Sequence, residues 1–116
     1  MKKQIIRQGD VILVPITIIP AGVEPVELDK DRIVLAYGEV TGHAHAIQFT
    51  PAEVVNKAIR KAQLYAASNG QRFLEVTEPV SLTHEEHSAH IIPIGLYEVP
   101  IQVDMTSDKM PRRVDD

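Results

Sequence analysis

All five histidines of the chain fall in two short stretches, GHAHAIQF (residues 42–49) and LTHEEHSAHII (residues 82–92). An imidazole can ligate a metal, move a proton or switch a hydrogen bond near neutral pH. Side chains alternate along a strand, so His43 and His45 are expected on one face, about 7 Å apart along the backbone. Two rings so placed can converge on one ion. The second stretch adds His84 and His87, with Glu85 and Glu86 between them and His90 beyond. Zinc takes imidazole and carboxylate in a tetrahedral set, and three protein ligands leave a position for water. The metal candidates are therefore His43, His45, His84 and His87. Glu85 and Glu86 are the candidate catalytic residues, as proton acceptors for an activated water; either could instead ligate the ion or orient an imidazole. The expected cofactor is a divalent transition metal, with zinc first among the ions that accept such ligands. The spacing of HEEH is neither His-Glu-x-x-His nor its inverse, so the zinc-protease helix mechanism is not carried over. A hydrogen-bonded histidine network without metal, or unrelated surface histidines, is the plainer account of the same residues.

These side chains need elements to hold them. DVILVPITII (residues 10–19) is rich in β-branched residues and predicts one or two strands, with Pro15 at an edge or a bulge. Asp10, after Gly9, is expected in a turn into the first strand. RIVLAYGEV predicts a strand from Arg32 to a turn at Gly38, and GHAHAIQF a second, with Gly42 at a bulge or close backbone approach. One short helical segment is expected near 51–61. Thr50 is its N-cap, Pro51 its first residue, and Glu53 completes a capping box. Val54, Val55, Ala58, Ile59 and Ala62 would form its apolar face. Residues 62–86 predict strand, turn, strand, turn, strand, with Asn69-Gly70 as a hairpin signal and Pro79 marking the second turn. A break is expected at Glu85-Glu86, and a bend at Gly95 in the last strand or strand pair. The expected fold is mainly β, a small antiparallel barrel or sandwich with one short helix. Residues 1–104 form a single β-rich domain, and 105–116 a polar C-terminal tail.

Composition narrows the function. The chain has 116 residues, 44% of them hydrophobic and 24% charged, which suits one globular domain. With no cysteine, disulfide and thiolate chemistry are excluded. Aromatics make up 4% and the formal net charge is -4, so neither a base-stacking platform nor a phosphate-binding surface is indicated. Nucleic acid stays open only through a small cluster of Lys57, Arg60 and Lys61. The N-terminus lacks the apolar run of a signal peptide, and no segment reaches the length of a membrane span. A cytoplasmic, non-membrane protein is expected.

Several segments together resemble one family: RQGDVILVPI, LAYGEVTGHAHAI, LEVTEPVSLTHEEHSAHIIPIGLYEV and the tail RRV with its following Asp. The family consists of short, uncharacterised bacterial proteins, also found in phage and mobile-element contexts. The resemblance runs over most of the chain apart from residues 51–61, and rests on the GHxH and LTHEEH motifs. It implies no settled activity. Its histidine positions match here at His43, His45, His84 and His87, whereas His90 stands where a small or apolar residue is more usual. A weaker likeness is to cupins, whose first motif has glycine, then His-x-His, then glutamate. Gly38, His43 and His45 fit its start, but Gln48 and Phe49 occupy the region where the glutamate is expected.

Three functions fit this set. The first is a metal-dependent hydrolase of unspecified substrate. The second is a metal-stabilised structural or partner-binding module, with self-association expected and a small-molecule or protein partner unspecified. The third is a phage-related accessory protein binding nucleic acid without metal.

Overall fold

Apolar side chains recur at every second position along five strands. Val11 and Leu13, Ile33 and Leu35, Ala62 and Leu64, Val80 and Leu82, and Tyr97 and Val99 are all buried. That period sends one face of each strand into a shared interior. The computed structural model describes residues 4–9, 11–37, 44–84 and 89–100, together with the backbone of 87–88, 103–104 and 112–113. In chain order the strands are β1 (Ile6–Gln8), β2 (Val11–Ile16), β3 (Glu24–Pro25), β4 (Arg32–Tyr37) and β5 (Ala44–Gln48). The helix α1 (Pro51–Val55) and a 3₁₀ turn (Lys57–Ile59) follow. Next come β6 (Ala62–Ala66), β7 (Arg72–Val76), β8 (Val80–His84), β9 (His87–Ile92) and β10 (Gly95–Val99). A short ribbon pairs β11 (Val103–Asp104) with β12 (Arg112–Arg113).

The fold is mainly β, two antiparallel sheets in a sandwich-like arrangement with one short helix. One sheet has six strands in the order β1-β2-β10-β7-β6-β3, the other four in the order β4-β5-β8-β9. Sequential strands pair as hairpins, but successive hairpins go to different sheets: β4-β5 and β8-β9 to one, β6-β7 to the other. The turn expected at Pro79 is therefore a crossing between sheets. Thr77 anchors it by donating from its backbone N to Lys61 O at 2.8 Å. A short strand, β1, precedes the first expected one, and Gly9 (φ 55°) turns the chain from Gln8 back to Val11. β2 pairs with β1 over Val11–Leu13 and with β10 over Val14–Ile16. Pro15 thus lies beyond the β1 pairing, where a missing N–H is tolerated.

The helix is shorter than its apolar pattern predicts. The capping box forms as expected: Glu53 N donates to Thr50 Oγ1 at 3.2 Å, and Thr50 N to Glu53 Oε1 at 2.8 Å. The helix stops at Asn56, whose side chain accepts from Ala58 N and so competes with helical bonding. Arg60 donates to the freed carbonyls of Glu53 and Val54 at 2.7 and 2.6 Å. Val55 and Ile59 stay exposed, so the predicted apolar face does not form as a unit.

The entry to β4 carries strain. Asp29 and Arg32 exchange backbone hydrogen bonds around Lys30 and Asp31, which both take left-handed angles (φ 54° and 67°). Asp tolerates that region, but Lys gains nothing from it. Lys30→Gly is expected to raise stability by about 0.5–1 kcal/mol. An unchanged or lower urea midpoint would reject this account of the turn.

Candidate histidine site

β5 is central to the four-stranded sheet, and its residues Ala44, His45, Ala46 and Ile47 are all buried. Consecutive burial means that both faces of the strand are covered. The sequence allows this because alanines flank the histidine and leave room for neighbours on either side. β5 pairs with β8 at Ala46↔Thr83, where Thr83 Oγ1 also donates to Ala46 O at 3.2 Å. One step along that register, His45 stands opposite His84. Their rings stack, with centroids 4.1 Å apart and planes inclined by 21°, the contact a directly opposed cross-strand pair makes. The two histidine stretches therefore meet.

The ladder is irregular on both sides of this pair. β4 holds one extra residue, Leu35, between Val34 and Ala36, opposite Ala46 and His45. The displaced Leu35 carbonyl accepts from Arg72 Nη2 of the other sheet at 2.8 Å. β9 holds one extra residue between His87, which pairs with His84, and His90, which pairs with Leu82. Bulges re-aim side chains and increase local twist.

Among the described residues, the buried polar side chains are Gln8 and His45, exposed by 2% and 3%. Gln8 reaches across from β1. Its Nε2 donates to Leu82 O at 2.9 Å, and its Oε1 lies 2.8 Å from His45 Nδ1. Sequence reasoning missed this residue. The available signal is parity: Ile6 and Gln8 share a face, Ile6 packs against the core, and an inward carboxamide requires internal partners.

The family model described as Domain of unknown function (DUF8820) matches residues 7–102. This chain belongs to the DUF8820 family. The matched span takes in Gln8, both histidine stretches and all strands from β2 to β10. Comparisons with curated proteins and with solved structures gave no match.

In this DUF8820 domain, the structure brings together two of the four expected metal ligands, His45 and His84. His87 stands opposite His84 in register, its side chain lying outside the described residues. His43, Glu85 and Glu86 also lie outside them. His90 is exposed opposite Leu82. Among the described residues, no three His, Asp or Glu side chains gather where they could hold an ion. A cleft of 260 Å³ is lined by Ile47, Phe49, Glu53, Lys61, Ser81 and Thr83, among others, and by neither His45 nor His84. Among the described residues, no helix of the domain is long and apolar enough to cross a membrane.

Proposed function

We propose that His45 and His84 are half of a binding site for a divalent transition metal, zinc by ligand chemistry, with His43 and His87 as the other ligands. The supporting observation is the 4.1 Å stacking of two imidazoles from distant stretches of chain. Two rings sharing one tetrahedral ion have centroids about 5 Å apart with the ion in both ring planes, so one ring of this stacked pair would need to rotate out of the stack as well as move apart by about 1 Å. A bound metal would supply Lewis acidity and a water of lowered pKa. Glu85 and Glu86, adjacent to His84, are the proposed proton acceptors for a hydrolytic reaction.

A second account is favoured by the burial of His45. A ring exposed by 3% suits a closed four-ligand site that knits β5, β8 and β9, or joins copies of the chain, without catalysis. A cytoplasmic, self-associating protein of phage-related context is proposed with either account.

Elemental analysis of untagged protein is the deciding experiment. Stoichiometric zinc or another first-row metal is expected, and it should be lost in the His45→Ala/His84→Ala variant. Metal-free protein that gives no heat on zinc titration would overturn the site. Replacing Glu85 and Glu86 by Gln separates the two accounts. Metal retained with hydrolytic activity lost favours the enzyme, whereas chelation that lowers stability or oligomer mass favours the module.

A further inference from the structure

The Leu82 carbonyl can only accept a hydrogen bond. Gln8 must therefore turn its amide nitrogen toward it, across 2.9 Å. The planar carboxamide then presents its oxygen to His45 Nδ1, 2.8 Å away. That oxygen can also only accept, so the hydrogen between them belongs to Nδ1. We infer that Gln8 is a positioning residue that locks neutral His45 in its Nδ1–H tautomer and leaves the lone pair on Nε2.

The constraint is transmitted in one direction. Leu82 is fully buried in β8, and its carbonyl orients the Gln8 carboxamide. Gln8 is held at the end of β1 by its pairing with Val11 across the turn at Gly9. Gln8 and His45 are both buried, so bulk water does not compete for either bond. Without Gln8 the two tautomers of a neutral imidazole differ little in energy, and the ring could also rotate. With it, one nitrogen is assigned to donate and the other to ligate or take a proton. The N-terminal hairpin, which holds none of the histidines, thus decides which atom of His45 does chemistry.

The tautomer follows from the hydrogen bonds alone, while its effect on ligation rests on the metal reading above. The test is a long-range ¹⁵N–¹H spectrum of the metal-free, ¹⁵N-labelled protein, which separates protonated from bare ring nitrogens. His45 is expected with Nδ1 protonated and Nε2 bare, and the opposite pattern would overturn the inference. The Gln8→Met variant, similar in length but unable to accept this bond strongly, is expected to populate both tautomers. A folded variant that keeps the pure Nδ1–H form would also overturn it. If the variant does not fold, scalar coupling across the Nδ1–H···O=C bond in the wild-type protein replaces it. That coupling supports the inference if present and defeats it if absent. In zinc titrations, Gln8→Met should weaken affinity about 10–100-fold. Wild-type protein that binds no zinc but shows the Nδ1–H form would remove the metal site and leave the role of Gln8 standing.

Discussion

Tyr97→Ala is expected to remove about 3–5 kcal/mol of stability, roughly a fifth or more of what a small domain typically has. Tyr97 is among the largest fully buried side chains, exposed by 1%. It sits mid-strand in β10, opposite Pro15 of β2 and Leu74 of β7, so truncation opens a void where the six-stranded sheet joins the core. Its hydroxyl donates to Pro93 O at 2.8 Å, fastening the crossing from β9 to β10. Tyr97→Phe keeps the ring and strands that carbonyl, at a cost of about 1 kcal/mol. Burial pushes the Tyr97 hydroxyl above its ordinary value of 10.0. A raised folded value stabilises the protein fully below 10.0, and the contribution is lost as pH rises from there through the folded value. Urea denaturation should therefore show alkaline destabilisation in the wild type that is reduced in Tyr97→Phe. A Tyr97→Ala protein with the wild-type midpoint would contradict this packing.

The second large effect is expected at the buried polar contact. His45→Leu removes the ring that meets the Gln8 oxygen, and Gln8→Leu removes both the donor to Leu82 O and the acceptor for His45 Nδ1 within the core. Each single change should cost about 1–3 kcal/mol. The double variant removes both polar groups at once, so its loss should fall short of the summed singles by about 0.5–3 kcal/mol. Denaturation midpoints of the four proteins give this coupling directly, and strict additivity would deny that the two side chains interact. A double variant as stable as the wild type would be informative too. It would mean that an apolar interior was available at these positions, so a need for stability does not explain the carboxamide–imidazole pair.

The strands were legible in the sequence because their signals are local. β-branched runs marked β2 and β4, and Asn69-Gly70 marked the β6–β7 hairpin. There Gly70 takes φ 92° and its N–H closes a turn onto Ala67 O at 3.0 Å. The capping box at Thr50 and Glu53 was legible for the same reason. What the sequence concealed is non-local. Nothing in residues 77–79 distinguishes a tight hairpin from a crossing between sheets, since either choice buries Val76 and Val80. The end of the helix turned on the side chain of Asn56 and the reach of Arg60, which outweigh an apolar stripe. At the site, clustering of the histidines pointed to a meeting of two stretches, and the stacked rings of His45 and His84 bear out that they meet. Gln8 was hidden because its partners lie far along the chain, one a ring and the other a backbone carbonyl that no side-chain pattern records.

The extra residue at Leu35 gives the chain a dependence on length that no substitution can mimic. Deleting it would restore regular pairing between β4 and β5, with Ala36 still opposite His45 and Tyr37 opposite Ala44, but would take a buried side chain out of the core. The Arg72 guanidinium would also lose the Leu35 carbonyl it meets. Descent can therefore trade side chains along this strand more freely than it can gain or lose a residue there. An added residue is better accommodated in a connection such as residues 17–23, where a side chain at Gly22 would meet open space.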